Sequence, residues 1–307
     1  MKLSSFLLSA ALIGLSTAGL AVPVAADVVT KTVPLEDVQR VALDGSHDLT
    51  LIQGDEAYVK ITGPRKVVSN MVAEVKGDRL RLRHKSAGRS WRISLFEFDG
   101  KAQFEVQLPE IHELEVSGSG DIVVSDINSD KLNLEFSGSP DVQVADVKVE
   151  KFSLEVAGSA DIDVAAVKAV STSIEVAGSP NVEIASLLNE GDLDIEVAGS
   201  ADVIFGDLSA HSIDVEIAGS ADVVVRGEGN ADRQVIEIAG SGDYRAPNVQ
   251  SRKVEVEMAG SPMAEVRVSD SLSVESMGSA DVIYYGSPEI NSDIDGSGEV
   301  RQGSSSH

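Results

Sequence analysis

Carboxylate side chains recur along this sequence at fixed distances from repeated Gly-Ser pairs. An aspartate follows the glycine of the pair by three residues seven times, and a glutamate precedes it by three residues nine times. Carboxylate oxygens are ligands that Ca²⁺ prefers, so a fold that stacks these residues would assemble a cation site. The candidate metal ligands on this pattern are Asp141, Asp161, Asp202 and Asp222.

A structural role explains the same carboxylates without a metal. The aspartate of each Gly-Ser-x-Asp unit is placed to accept a hydrogen bond from the backbone of a bend, and a glutamate in every repeat solvates an outer wall. The spacing also lacks the Gly-Gly-x-Gly-x-Asp nonapeptide of calcium-binding solenoids. We therefore expect no cofactor, with Ca²⁺ as the alternative.

Basic side chains gather in one short stretch, Arg-Leu-Arg-Leu-Arg-His-Lys, and just after it. The alternation predicts a strand with leucines on one side and arginines on the other. Arginine near an aromatic ring binds phosphate groups and acidic polysaccharides, but an arginine-rich face is also typical of a solvated surface. The candidate partner-binding residues are Arg79, Arg81, Arg83, Arg89, Trp91 and Arg92.

Enzymatic chemistry finds little support in the sequence. Glycoside cleavage uses one pair of carboxylates at one place, whereas acids recur in every repeat here. The five histidines lack the spacing of a metal site or a catalytic triad. Aromatic residues, which form the usual stacking platforms for sugars, make up only 4% of the chain. The sequence predicts a non-catalytic protein, with a polysaccharide-active enzyme as the alternative.

Composition and the first residues limit the possible location of the protein and the kinds of partner it can bind. Residues 1–26 have a basic start, an apolar run and a small-residue end, which is the pattern of a secretory signal peptide. No later stretch has the length of a transmembrane segment. The net charge of -25 disfavours nucleic acid as a partner. We expect an exported protein that is periplasmic, outer-membrane-associated or secreted.

The Gly-Ser pairs also define the fold that must position these residues. Successive glycines from Gly118 to Gly296 are separated by 20, 20, 20, 21, 20, 21, 20, 18 and 18 residues. A nearly constant period of this size is typical of a solenoid, and apolar and polar residues alternate within each repeat. The sequence predicts an all-β, single-stranded parallel β-helix, right-handed, with about 20 residues per coil.

The patterns divide the chain into segments. Residues 27–111 are predicted to form irregular β coils that cap the helix, residues 112–303 the repetitive β-helix in one domain with that cap, and residues 304–307 a disordered tail. Residues 60–101 carry a charge of +7 and residues 102–307 a charge of -28, which favours self-association. One inward column is predicted to contain Val156, Val176, Val197, Ile217, Ile238 and Val256.

The iterated "SGSGDI", "SGSPDV" and "AGSADI", after an opening strand and "IQGDE", resemble the bacterial GIN domain family, described as the head of an autotransporter adhesin. The resemblance implies a β-helix on an exported protein and brings no catalytic motif. The expected function is an adhesin-like interaction module of the cell envelope or surface. Its partner would be an unidentified envelope or extracellular polymer or protein. A polysaccharide-active enzyme and a calcium-responsive scaffold are the alternatives.

Overall fold

The chain winds into a β-solenoid of about 10 turns with ~20 residues per turn. The computed structural model describes residues 27–85 and 100–304. The parallel β-helix and its repeat length are thereby confirmed, and the right-handed sense stays a prediction. At a rise of ~4.8 Å per coil, the stack forms a rod roughly 45 Å long.

The described residues form 26 strands and one short helix. The N-terminal part contains β1 (Val28–Pro34), β2 (Arg40–Asp44), β3 (Asp48–Gln53), β4 (Tyr58–Pro64), α1 (Arg65–Val68), β5 (Met71–Lys76), β6 (Arg79–His84) and β7 (Gln103–Leu108). The coils contain β8 (Glu113–Gly118), β9 (Asp121–Val124), β10 (Ile127–Asn128), β11 (Lys131–Gly138), β12 (Asp141–Lys148), β13 (Lys151–Gly158), β14 (Asp161–Ala169), β15 (Ser171–Gly178), β16 (Asn181–Asn189), β17 (Asp192–Gly199), β18 (Asp202–Ser209), β19 (Ser212–Gly219), β20 (Asp222–Val225), β21 (Gly229–Gly240), β22 (Asp243–Gly260), β23 (Met263–Gly278), β24 (Asp281–Tyr285), β25 (Glu289–Gly296) and β26 (Val300–Gln302).

The coil of β13 and β14 shows how the alternating pattern builds two walls. Alternate residues of β13 are buried and the residues between them face outward. After the Gly-Ser bend, β14 repeats this alternation, which shifts by one residue at a corner near Ala165. We call the wall that contains β2, β6, β8, β11, β13, β15, β17, β19, the C-terminal parts of β21, β22 and β23, and β25 the long wall. The second wall contains β3, β7, β9, β12, β14, β16, β18, β20, the N-terminal parts of β22 and β23, and β24.

Equivalent residues of successive coils pair in parallel register. The predicted inward column is confirmed from Val156 to Ile238, but its next member is Met258 and not Val256. Val256 pairs with Ile236 in the neighbouring inward column. Both columns are buried, so each adds to one continuous apolar core that removes its side chains from water.

Close approach of the stacked bends requires glycine in each coil. Gly158 has a φ of 127°, a backbone conformation that favours glycine. A Cβ at this position would lie 2.2 Å from the carbonyl oxygen of Gly138 in the preceding coil. The repeated glycine therefore serves the contact between coils as well as the bend within one coil.

The N-terminal cap contains both parallel and antiparallel strand pairs, and the prediction of irregular coils does not include the antiparallel ones. β2 and β3 form the first coil and pair in parallel with β8 and β9. On the long wall, β6 is parallel to β2, but β5 is antiparallel to β6. On the second wall, β7 is parallel to β3, but β4 is antiparallel to both β7 and β1. Val67 and Val68 of α1 are buried within the cap.

Candidate interaction surfaces

The repeated glutamates form one continuous column on the outer face of the long wall. Each pairs with its equivalent in the next coil from β8 to β23, and Asp293 of β25 extends the column. Neighbouring strands lie ~4.8 Å apart, and like charges directly opposite each other are destabilising. Burial raises the pKa of the Glu155 carboxyl, and the flanking Glu135 and Glu175 raise it further.

A column of small side chains runs beside the glutamates, on the side of the bend. The difference in side-chain length leaves shallow grooves along the wall, with a cavity of about 260 Å³ beside Glu135 and one of about 300 Å³ beside Glu237. The long wall therefore presents an extended acidic strip above small residues. The small column contains Ser117, Ser137, Ala157, Ala177, Ala198, Ala218, Ala239 and Ala259.

The repeated aspartates form a second column, on the outer face of the second wall next to the bend. The four candidate ligands fall into two adjacent pairs, Asp141 with Asp161 and Asp202 with Asp222, and Asn181 separates the pairs. In the part of the chain that the structure describes, no three His, Cys, Asp or Glu side chains are grouped as a metal site would require. Binding of Ca²⁺ by these aspartates stays a prediction.

Several aspartates of the column hold the backbone of the next coil. Asp222 Oδ1 accepts a hydrogen bond from the N–H of Asp243 at 3.0 Å. This is the structural role that the sequence predicts for the repeated aspartate. The same contact joins Asp48 to Asp121 at 3.2 Å, Asp243 to Met263 at 2.9 Å and Asp281 to Glu299 at 3.0 Å.

The arginines of β6 all lie beside acids of the same chain. Arg79 pairs with Glu113, at 2.9 Å, and with Glu115. Arg81 contacts Asp44 at 2.7 Å, and Arg83 contacts Glu74 at 2.9 Å. The hydrogen bond to Asp44 raises the pKa of Arg81. An external anion would therefore have to compete with these carboxylates.

The other basic candidates cannot be placed beside these arginines. Arg89, Trp91 and Arg92 lie outside the described residues. The structure therefore shows one part of the predicted basic surface, the strand β6 at the N-terminal end of the long wall. Binding of a partner by these six residues stays a prediction.

Several buried, hydrogen-bonded polar side chains inside the solenoid are not predicted from the sequence. Thr172 Oγ1 donates to Asn189 Oδ1 at 2.9 Å, and both residues are at most 3% exposed. Further along the rod, the Tyr244 hydroxyl donates to Gln234 Oε1 at 2.7 Å, and Gln234 Nε2 donates to Ser251 Oγ at 2.5 Å. A polar residue at an inward position of the repeat is the signal that could have found them. Most of these polar atoms are paired in the interior, with Asn189 Nδ2 as an exception, so these residues support the fold.

Fold and surface together define a class, the parallel β-solenoids whose outer walls carry repeated acidic columns. Within that class, the chain belongs to the family described as "Putative auto-transporter adhesin, head GIN domain", whose model matches residues 37–190 and 170–288. The resemblance seen in the Gly-Ser-x-Asp repeats is therefore confirmed. No helix among the described residues is both long and apolar enough to cross a membrane.

Two solved structures share this fold at low sequence identity. A putative adhesin from Parabacteroides merdae is 18% identical, with a TM-score of 0.50 over 90% of this chain and 96% of that chain. A putative adhesin from Parabacteroides distasonis is 21% identical, with a TM-score of 0.50 over 90% and 97%. A putative lipid binding protein from Parabacteroides distasonis is 22% identical, with a TM-score of 0.49 over 90% and 97%. No curated protein matches the chain.

Proposed function

We propose that this protein is an exported, non-catalytic interaction module of the adhesin type at the bacterial cell envelope or surface. The observation that carries the proposal is the outer surface of the coils, where columns of like residues stay in register from β8 to β23. Such a surface offers the same groups in every coil, so a long partner gains many linked weak contacts. The family description and the names of two structural neighbours support the same function.

Binding fits the geometry better than catalysis. An active site needs an unrepeated set of groups at one place, usually within a concave pocket. The grooves on the long wall are shallow and are lined by the repeated glutamates and their small neighbours. Each coil therefore presents nearly the same chemistry as the next.

Charge favours the long wall over the basic strand as the contact surface. Residues 102–307 carry a charge of -28, and the glutamate column faces outward along the coils. The arginines of β6 already pair with their own acids. The partner would be an envelope or extracellular polymer or protein that presents positive groups, which the acidic wall attracts.

The test measures binding of the purified protein to isolated envelope fractions at increasing NaCl. The long-wall variant carries Glu175→Gln, Glu196→Gln and Glu216→Gln, and a matched variant removes the same charge elsewhere with Asp163→Asn, Glu183→Gln and Glu190→Gln. We expect wild-type binding at low salt that weakens towards ~0.5 M, where the Debye length is only a few Å. The long-wall variant should lose most of this binding, and the matched variant should keep it.

Other outcomes separate the parts of the proposal. Equal binding by both variants would remove the long wall as the contact surface. Loss of binding in a variant with Arg79→Ser, Arg81→Ser and Arg83→Ser would favour the basic strand and an acidic polymer. Absence of wild-type binding to envelope fractions at every salt concentration would contradict the interaction module itself.

A further inference from the structure

The first bend of the solenoid carries a histidine where later bends carry a small residue. Gly45, Ser46 and His47 occupy the place of the Gly-Ser-x bend, and the carbonyl oxygen of His47 lies so close to Gly120 of the next coil that a Cβ there would meet it. His47 is only 9% exposed. The residues at the equivalent position of the following coils are Gly120, Pro140, Ala160, Pro180, Ala201 and Ala221.

The His47 ring contacts cap strands on both walls. Its Nδ1 accepts a hydrogen bond from the backbone N–H of Ala102 at 3.3 Å, next to the start of β7. The ring centroid lies 5.9 Å from that of Phe104 in an edge-on contact, and 6.1 Å from that of His84 in a stacked contact. Since His84 ends β6 on the long wall and Phe104 lies in β7 on the second wall, one side chain joins both halves of the cap to the first coil.

We propose that His47 is a pH-sensitive clasp, which holds β6 and β7 on the first coil as a neutral imidazole and releases them when it is protonated. A neutral ring accepts the Ala102 N–H through Nδ1, but a protonated ring has donors at both nitrogens. Protonation would therefore break this hydrogen bond, because the N–H of Ala102 and the new N–H at Nδ1 of His47 would then be two donors that face each other. It would also place a charge in a site that is nine-tenths buried.

Taken together, the charged groups around His47 do not favour its protonation. His84 faces it from β6, and Lys101 faces it from the residue before Ala102. Asp48 on β3 attracts the proton, but Lys101 Nζ lies 3.0 Å from its Oδ1 and 3.8 Å from Asp121 of β9. Burial lowers the pKa of His47, and His84 lowers it further, whereas Asp48 opposes the shift.

The direction of this shift fixes the pH range of the clasp. A lowered pKa in the folded state means that His47 stabilises the cap fully above its ordinary value of 6.5. This stability is lost as the pH falls from 6.5 through the folded-state pKa, because the opened cap then binds the extra proton. In that interval the opening constant of the cap should rise by up to about tenfold per pH unit.

Nuclear magnetic resonance of the isotope-labelled protein tests the clasp. We expect the His47 ring to titrate below the ordinary 6.5. The Ala102 and Phe104 amides should exchange with solvent faster as the pH falls below that value, after correction for intrinsic exchange rates. The amides of Val176 and Ile195 in the coils should not show this acceleration.

Two variants keep the test decisive. His47→Gln retains a hydrogen-bond acceptor without a titrating ring, so it should abolish the pH-dependent opening. His84→Asn removes the ring on β6 that lowers the pKa of His47, so it should raise that pKa. A His47 pKa at or above 6.5, or pH-dependent opening that persists in His47→Gln, would overturn the proposal. Should His47→Gln fail to fold, the wild-type titration and His84→Asn decide the question.

Discussion

The effect of a single side chain in this protein depends on the equivalent side chains of the neighbouring coils, which it contacts. Val197 lies between Val176 and Ile217, and all three are at most 2% exposed. On the outer face, Glu155 lies between two other glutamates. Stacking thus stabilises the fold through the core, where apolar side chains are removed from water. It destabilises the fold at the outer face, where like charges lie opposite each other.

Replacement of Val197 by aspartate should destabilise the fold by ~3 kcal/mol or more, because the new carboxylate would be buried without a partner. Urea denaturation measures the loss. The matched control is Ala198→Asp, which places the same group on the outer face and should cost less than ~1 kcal/mol. A Val197→Asp protein as stable as Ala198→Asp would contradict the register of the inward column.

Sequence alone identifies the bend and the inward residues, but not which inward residues share a column. Glycine recurs because each bend lies against the carbonyl of the previous bend, and this constraint leaves a regular mark. Val256 and Met258 are both apolar and both buried, so alternation cannot tell their columns apart. His47 also lacks a periodic signal, since it occurs once, at the end of the stack.

At the scale of strands, the coils are predictable and the cap is not. Parallel coils follow from the repeat because each strand pairs with its own equivalent. The cap strands alternate in the same way, but they do not repeat, and alternation does not indicate direction. The short Gly77-Asp78 connection between β5 and β6 is the one local sign of an antiparallel hairpin there.

Mild acid should stabilise the coils through the glutamate column. The pKa of Glu155 is raised above its ordinary 4.5 in the folded state, so the charged form is the less favourable one there. The penalty is present above the folded-state pKa and is relieved as the pH falls through it towards 4.5. In the His47→Gln variant, which lacks the titrating ring of the cap, thermal unfolding from pH 7 downward should therefore show a rise in stability before acid denaturation begins.

Glu155→Gln should reproduce part of this gain at pH 7, by a few tenths of a kcal/mol, and should respond less to acid. The control Glu190→Gln removes an acid that lies 3.8 Å from Lys168, so it should bring no gain. A Glu155→Gln variant that is less stable than Glu190→Gln at pH 7 would show that like-charge repulsion is not the dominant effect of the column.

At the scale of the whole molecule, the rod carries acidic columns along both walls, and the ion-paired arginines of β6 lie at its N-terminal end. The fold and the family agree with the sequence pattern. The sequence pattern cannot specify the binding partner. A side chain that recurs in every coil is expected both when it stabilises the stacking of coils and when it binds a ligand. Arg79, which does not recur, shows a second limit: the sequence gives no hint that it pairs with Glu113 and Glu115.

Calcium should stabilise the protein no more than sodium chloride of equal ionic strength, because screening of the acidic columns is then the only effect. Melting curves in millimolar CaCl₂ and in matched NaCl give the comparison. A saturable stabilisation by Ca²⁺ that disappears with Asp161→Asn and Asp202→Asn would instead establish a specific site on the aspartate column.

The stacking of one coil on the next also determines how the rod responds to mechanical force. The hydrogen bonds between coils run across the strands, and therefore along the axis that links the cap to the last coil. A pull between the two ends acts on these coil contacts one after another. Each coil that detaches frees ~20 residues, or about 70 Å of extended chain. The protein would yield to tension in repeated small steps, so a molecule attached at both ends lengthens by more than about tenfold before the last contact breaks.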